Sequence, residues 1–197
     1  MTQANIIGSL VDNRFRIESV LGIGTFGAIY KAEQPDLDRI VALKMLHGLS
    51  ANTQHVRARF EREVHLLASL QHENIVRVYG CGTDGNNCLY LSMEYLNGRT
   101  LSDVLAKERR LDWRRTCRIG IQACAALAAA HKIGIVHRDI APKNIMLVSQ
   151  NDTETAKVLD FGLSSVLPQS ELAVQRLTQT GTVVGTLLYM SPEATMG

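Results

Sequence analysis

Several features that mark specialised classes of protein are scarce in this chain of 197 residues. It has only four prolines, aromatic residues make up 5%, and no apolar run approaches the roughly 20 residues that cross a bilayer. Basic residues exceed acidic ones by only two, 21 against 19. The few prolines, together with 46% hydrophobic and 20% charged residues, argue against a disordered chain, and the lack of a long apolar run argues against a membrane-spanning segment. It also gives no sign of a nucleic-acid or membrane-surface binder.

The four cysteines form no CxxC pair, which removes the common zinc and redox motifs. The opening residues MTQANIIGSL lack a basic stretch and a long apolar stretch, so we expect no signal peptide. Together these features predict a cytoplasmic protein with reduced cysteines.

The first half of the chain has the pattern of strands around one helix. Short β-rich runs occur at 28–33, 39–46, 75–79 and 88–93. Between them, residues 55–70 change to a helical period, with apolar residues three or four positions apart at Val56, Phe60, Val64, Leu67 and Leu70.

The second half begins with an alanine-rich stretch at 113–132, a composition typical of a helix. Short apolar runs at 145–148 and 157–159 predict strands. Residues 161–190 show little regular pattern, and a long segment of that kind is usually functional.

A glycine-rich motif, GxGxxG, lies within Leu21–Ile29. In a dinucleotide-binding fold such glycines lead from a strand into a helix. Here a strand pattern follows, at Ala28–Glu33, so we predict a hairpin whose backbone at Gly22, Gly24 and Gly27 covers phosphates.

The strand VALK at Val41–Lys44 predicts a nucleotide-facing surface. Ala42 and Lys44 are two residues apart and share a face, where the small alanine leaves room for a flat ring and the lysine offers a charge to phosphates. On the predicted helix, Glu63 lies closer to the apolar stripe than Glu61 does, which makes it the preferred partner of Lys44.

Two further motifs contain residues suited to proton transfer and to binding Mg²⁺ through oxygen atoms. The loop His137–Asn144 reads HRDIAPKN, in which the Asp139 carboxylate can accept a hydroxyl proton and the Lys143 ammonium can stabilise negative charge. The Asn144 oxygen suits Mg²⁺, and a second acid, Asp160, ends a short strand before Phe161-Gly162.

These five elements, in this order, resemble the signature set of the protein kinases. The short local sequences of the chain resemble those of bacterial eukaryotic-like Ser/Thr kinases. The resemblance implies an α+β, two-lobed fold with a β-rich N-lobe that holds one main helix, and an incomplete, mostly α-helical C-lobe. The implied divisions are a lead-in at 1–13, an N-lobe with hinge at 14–96, and a partial C-lobe at 97–197.

The resemblance also implies roles for individual residues with ATP and Mg²⁺ as cofactors. Lys44, held by Glu63, would bind the ATP phosphates, Asp139 would be the base, and Asn144 and Asp160 would hold magnesium. The adenine ring would contact side chains or backbone of Ile29, Ala42, Met93, Glu94, Leu96 and Met146. The apolar spine would comprise Leu67, Val78, His137 and Phe161.

The substrate implied by the resemblance is a protein Ser/Thr hydroxyl. Thr186 would bond Asp139, and Arg138 would receive a phosphate placed in the activation segment by autophosphorylation, for which the preferred acceptors are Thr178, Thr180 and Thr182. One departure is Ala141, which stands where many Ser/Thr kinases have lysine. Lys143, two positions later, is a possible replacement.

A kinase domain continues into further helices beyond the point where this sequence stops, so we expect a fragment. The main alternative is a nucleotide-binding pseudokinase or truncated scaffold without phosphotransfer. A small-molecule phosphotransferase would share the loop motifs but would not explain the segment Gly185–Glu193.

Overall fold

The computed structural model describes residues 6–24, 27–50, 54–151 and 153–161, together with Tyr189. It divides into two units. The first contains the chain up to Gln71 together with Arg77–Leu96, and the second contains His72–Val76 and the chain from Asn97 onward.

The first unit is built on a six-stranded antiparallel sheet. Its strands are β1 (Leu10–Val11), β2 (Phe15–Gly24), β3 (Gly27–Gln34), β4 (Arg39–Ser50), β5 (Val78–Thr83) and β6 (Cys88–Glu94). Their order across the sheet is β1-β2-β3-β4-β6-β5. The predicted strands at 28–33, 39–46 and 88–93 are therefore confirmed.

One face of this sheet carries the main apolar cluster. The members alternate along the strands and are almost fully buried, as at Phe15, Ile17, Tyr30, Leu43 and Tyr90. The rings of Phe15 and Tyr90 meet edge to face at 5.5 Å. The Tyr90 hydroxyl donates to the Asp12 carboxylate, which ties the segment before β2 to the sheet. Burial of each large apolar side chain contributes about 1.5–3 kcal/mol.

Helix α1 (Gln54–Ser69) follows β4 and confirms the helix predicted at 55–70. The apolar residues predicted to share one face are buried at Phe60, Val64, Leu67 and Leu70. Helix α1 contacts β5, and burial of its apolar face, rather than helix propensity alone, stabilises it.

The second unit contains a three-stranded antiparallel sheet and two helices among its described residues. The strands are β7 (Gly98–Thr100), β8 (Ile145–Gln150) and β9 (Thr153–Val158), in that order. The helices are α2 (Leu101–Glu108) and α3 (Trp113–Lys132). Thr100 and Asp103 form a capping box at the start of α2, and the Asp112 carboxylate caps α3 through the N–H groups of Arg114 and Arg115.

The segment His72–Val76 corrects one strand prediction. We expected a strand over 75–79, but β5 begins at Val78, and Ile75 instead forms a parallel bridge with Val158 of β9. Buried Asn74 fixes this arrangement because its amide donates to Gln122 of α3 and to the Ala156 carbonyl of β9, each at 2.9 Å. A side-chain hydrogen-bond network therefore replaces the expected local pairing.

Candidate active site

The predicted nucleotide-facing residues of the first unit lie on one face of its sheet. Lys44 is directly opposite Ile29 of β3, and Ala42 is directly opposite Met93 of β6. Because residues two apart on a strand share a face, as do directly paired residues, these four side chains are on the face opposite the main apolar cluster. Lys44 is half-buried there, and Ala42 and Met93 are buried.

The three motif glycines lie in the β2–β3 hairpin, whose ladder ends with Gly24 opposite Gly27. A Cβ atom at Gly27 would lie 1.8 Å from the Met45 carbonyl oxygen of β4, and Gly27 has a φ of +150°. A Cβ at Gly22 would meet nothing within 4 Å, and one at Gly24 would meet only the Gly27 oxygen at 3.9 Å. Packing therefore requires glycine at 27 but not at 22 or 24.

The two carboxylates of α1 have different surroundings. Glu61 pairs with Arg57 one turn earlier, with the Nε and Oε1 atoms 2.8 Å apart. Burial and the nearby Glu61 charge raise the pKa of the Cys81 thiol on β5 to about 11. Glu63 is half-buried, on the flank of the stripe that contains Phe60 and Val64. The ion pair of Glu63 with Lys44 remains a prediction.

The remaining predicted adenine contacts lie at the end of β6 and on β8. The Glu94 N–H donates to the Arg77 carbonyl at 2.8 Å, and the Arg77 N–H donates to the Glu94 carboxylate at 3.2 Å. Leu96 is half-buried just beyond β6. Met146 belongs to the second unit, where it is half-buried and lies opposite Lys157 in the β8–β9 ladder.

The second unit brings Asp139, Lys143 and Asn144 together in one loop. The Asn144 amide nitrogen donates to the Asp139 backbone carbonyl at 2.7 Å and to its carboxylate Oδ2 at 3.1 Å. Lys143 Nζ lies 3.3 Å from the same Oδ2. Among the described residues, the other carboxylate oxygen, Oδ1, is buried without a hydrogen-bond partner.

His137 connects this loop to the strand that precedes Asp160. The Asp139 N–H donates to His137 Nδ1 at 3.2 Å, and Nε2 lies 2.7 Å from the Leu159 carbonyl oxygen. Because Nδ1 accepts, the proton is on Nε2, and the ring is neutral. Burial lowers the pKa of His137, in agreement with a neutral ring. We expected a purely apolar role, so this polar bridge was missed.

The backbone on each side of the site has unusual conformations. Arg138 and Asp160 both have positive φ angles, 64° and 56°, which are uncommon for residues other than glycine. The Leu159 N–H donates to the Asn144 carbonyl at 2.9 Å, which joins the segment before Asp160 to the catalytic loop. The Phe161 ring meets His137 edge to face at 4.7 Å.

Thr186 and the predicted phosphate acceptors lie outside the described residues, as does Gly162. These acceptors are Thr178, Thr180 and Thr182. Their roles remain predictions from the sequence.

The comparison with protein families decides the class of this site. A family model described as "Protein kinase domain" matches residues 15–197. The chain belongs to the protein kinase family. The family assignment and the two units with their strands and helices confirm the predicted α+β kinase-like fold.

Bacterial Ser/Thr kinases are among its most similar relatives. The chain is 35% identical over 192 residues to serine/threonine-protein kinase pkn3 of Myxococcus xanthus, covering 97% of this chain and 35% of the relative. It is 36% identical over 192 residues to PknB of Mycobacterium tuberculosis, covering 96% and 30%. The chain thus spans about a third of the length of these curated relatives.

Solved structures of bacterial kinase domains have the same fold. The crystal structure of the PknI kinase domain of Mycobacterium tuberculosis superposes with a TM-score of 0.69 at 28% identity, covering 79% of this chain and 62% of that chain. Among the described residues, we find no helix with the length and apolar character needed to cross a membrane.

Proposed function

We propose that this chain carries the catalytic residues of a protein Ser/Thr kinase that transfers the ATP γ-phosphate to a protein hydroxyl. Asp139 acts as the base, Lys44 binds the ATP phosphates with Glu63 as its partner, and Asn144 and Asp160 hold magnesium. Family membership and the kinases among its relatives support the reaction class.

The observation that carries this proposal is the buried Oδ1 of Asp139. A buried carboxylate oxygen without a donor costs free energy, about 1–3 kcal/mol or more for a charged group. Its partner oxygen Oδ2 already receives Asn144 and Lys143. Because Oδ1 has no donor among the described residues, we assign it as the acceptor for the proton of a substrate hydroxyl, as a general base requires.

The orientation of Asn144 supports its role as a metal ligand. Its amide nitrogen must face Asp139, because the backbone carbonyl of Asp139 can only accept a hydrogen bond. The side-chain oxygen consequently points away from Asp139 and remains available to a cation. Mg²⁺ prefers oxygen ligands and is commonly held by one or two side chains together with substrate phosphates, so the Asn144 and Asp160 pair fits it. When bound, Mg²⁺ would neutralise charge on the phosphates.

Gly22 and Gly24 support the placement of ATP. Since no atom of the described chain requires glycine at these two positions, close approach of an external group explains them. Phosphate oxygens that accept from a glycine-rich backbone are such a group. Ile29, Ala42 and Met93 share a sheet face with Lys44, which suits an adenine ring beside the phosphates.

The test compares Asp139→Ala with Asp160→Ala in a phosphotransfer assay and in Mg-ATP calorimetry. Both variants should lose transfer, whereas only Asp160→Ala should bind Mg-ATP markedly more weakly, because Asp139 faces the hydroxyl and not the metal. Equal loss of Mg-ATP affinity in both would contradict these roles. If this chain and a C-terminally extended chain both bind Mg-ATP but neither transfers phosphate, the scaffold alternative is correct.

A further inference from the structure

A strongly basic surface lies at the junction of α2 and α3. The 20 residues 99–118 contain seven basic and three acidic residues, a net charge of +4, whereas the whole chain has a net charge of +2. Six of these seven basic residues are arginine. The near-neutral total therefore conceals a local concentration of guanidinium groups.

The positive charges of α3 lie where the helix dipole makes them unfavourable. Its 20 residues include no Asp or Glu, and arginines occupy positions 114, 115 and 118 in its first two turns. Positive charge near a helix N-terminus opposes the helix dipole. Arg114 and Arg118 are also four residues apart, where like charges repel. Residues that are unfavourable for local structure, as these arginines are, are expected mainly at functional sites.

In the part of the chain that the structure describes, Arg115 is the α3 arginine that forms structural ion pairs. Arg115 makes two hydrogen bonds to Glu154 of β9, at 2.9 and 2.6 Å, and one to Glu108 of α2 at 2.8 Å. The hydrogen bonds from Arg115 and the further charges of Arg118 and Arg99 lower the pKa of Glu154. Arg115 hydrogen-bonds both carboxylate oxygens of Glu154. Arg99 and Arg118 therefore interact with Glu154 through charge, while its hydrogen-bonding oxygens are bound to Arg115.

Arg114 and Arg118 are exposed, and so is the neighbouring aromatic side chain. Trp113 is 65% exposed at the start of α3. The Arg114 guanidinium stacks over its ring at 4.4 Å from the centroid. An exposed tryptophan beside arginines is the composition that protein-binding surfaces favour.

We propose that Arg99, Trp113, Arg114 and Arg118, here called the α3 arginine surface, dock a phosphorylated segment of a protein partner. Paired guanidinium groups match the oxygens of a phosphate dianion in a bidentate manner, which lysine cannot do. A membrane surface attracts Lys and Arg alike, so the predominance of Arg favours the phosphopeptide. Binding here requires no phosphotransfer and is independent of the function proposed above.

The test uses a reporter that the chain already contains. Trp113 is its only tryptophan, so intrinsic fluorescence reports on this surface directly. A synthetic peptide with phosphothreonine flanked by aspartates should change the fluorescence saturably, and rising salt should weaken binding. The same peptide with threonine should bind at least about tenfold more weakly. The double variant Arg114→Gln, Arg118→Gln should also lose at least about tenfold in affinity.

Two controls separate docking from a structural role. Arg62→Gln removes an exposed arginine of α1 and should leave peptide affinity unchanged. The double variant should unfold at about the parental temperature, because both side chains are exposed and the loss of their contacts with Trp113 and Glu154 offsets the relief of charges that oppose the helix dipole. Parental affinity in the double variant, an equal loss of affinity in Arg62→Gln, or tighter binding to phosphatidylserine vesicles than to the phosphopeptide would each overturn the proposal.

Discussion

The glycine hairpin offers the sharpest separation of stability from nucleotide binding. In Gly27→Ala the new methyl group would lie 1.8 Å from the Met45 carbonyl oxygen and 2.9 Å from its carbon, and both are backbone atoms that cannot rotate away. Overpacking of this kind costs about 1–3 kcal/mol, and the φ of +150° adds backbone strain. At roughly 2–4 °C per kcal/mol for a chain of this size, the unfolding temperature should fall by about 4 °C or more.

Gly22→Ala and Gly24→Ala should behave in the opposite way. Neither methyl group meets a close neighbour. Replacement of glycine lowers the conformational entropy of the unfolded chain, which stabilises the folded chain by about 0.4–1 kcal/mol. We expect an unchanged or slightly higher unfolding temperature but Mg-ATP affinity at least about tenfold lower, since the methyl group occupies the space for phosphate oxygens. Thermal unfolding without nucleotide and calorimetry with Mg-ATP measure the two effects. Parental Mg-ATP affinity in both variants, or destabilisation equal to that of Gly27→Ala, would refute the reasoning.

Three further predictions concern single side chains. Lys143→Ala should lower kcat by roughly 10²-fold with little change in KM for ATP, the scale of losing one electrostatic donor, and near-parental kcat would show a merely solvated lysine. Glu63→Gln should weaken Mg-ATP binding while Glu61→Gln does not, because we assign Glu63 to Lys44; the reverse order in calorimetry would reassign the partner. Burial lowers the pKa of His137, so below about pH 6.5 the unfolded chain takes up a proton that the folded chain does not, and stability falls. His137→Phe should therefore flatten the decline of unfolding temperature between pH 7.5 and 5.5, and an unchanged slope would contradict this.

Local patterns predicted those parts of the fold that local forces determine. The strand pattern after the glycines predicted a hairpin, and β2 pairs with β3 accordingly. The spacing of Phe60, Val64 and Leu67 predicted the buried face of α1. In both cases the decisive information is the period of apolar residues within one segment.

Helix α2 was missed although its start carried a readable signal. It has only eight residues, and of these only Val104 is buried, so there is almost no periodicity to detect. The capping box between Thr100 and Asp103 is nevertheless visible in the sequence as threonine followed three positions later by an acid. Because this signature is polar, the spacing of apolar residues does not contain it.

The strand predicted at 75–79 failed for a different reason. Ile75 bridges Val158, and Asn74 bonds Gln122, at sequence separations of 83 and 48 residues. Nothing in the local run of apolar residues contains those partners. Pairing at such distance depends on the assembled second unit and is not readable from one segment.

The hydrogen bonds around the catalytic loop explain how it keeps its unusual backbone. Positive φ angles at Arg138 and Asp160 cost of order 1–3 kcal/mol each and persist only where the surroundings determine them. His137 accepts from Asp139 on one side and reaches the Leu159 carbonyl on the other, while Asn144 accepts from Leu159 and donates to Asp139. The residues adjacent to both strained positions are thus joined to each other. A substitution at either His137 or Asn144 should therefore alter the positions of both Asp139 and Asp160.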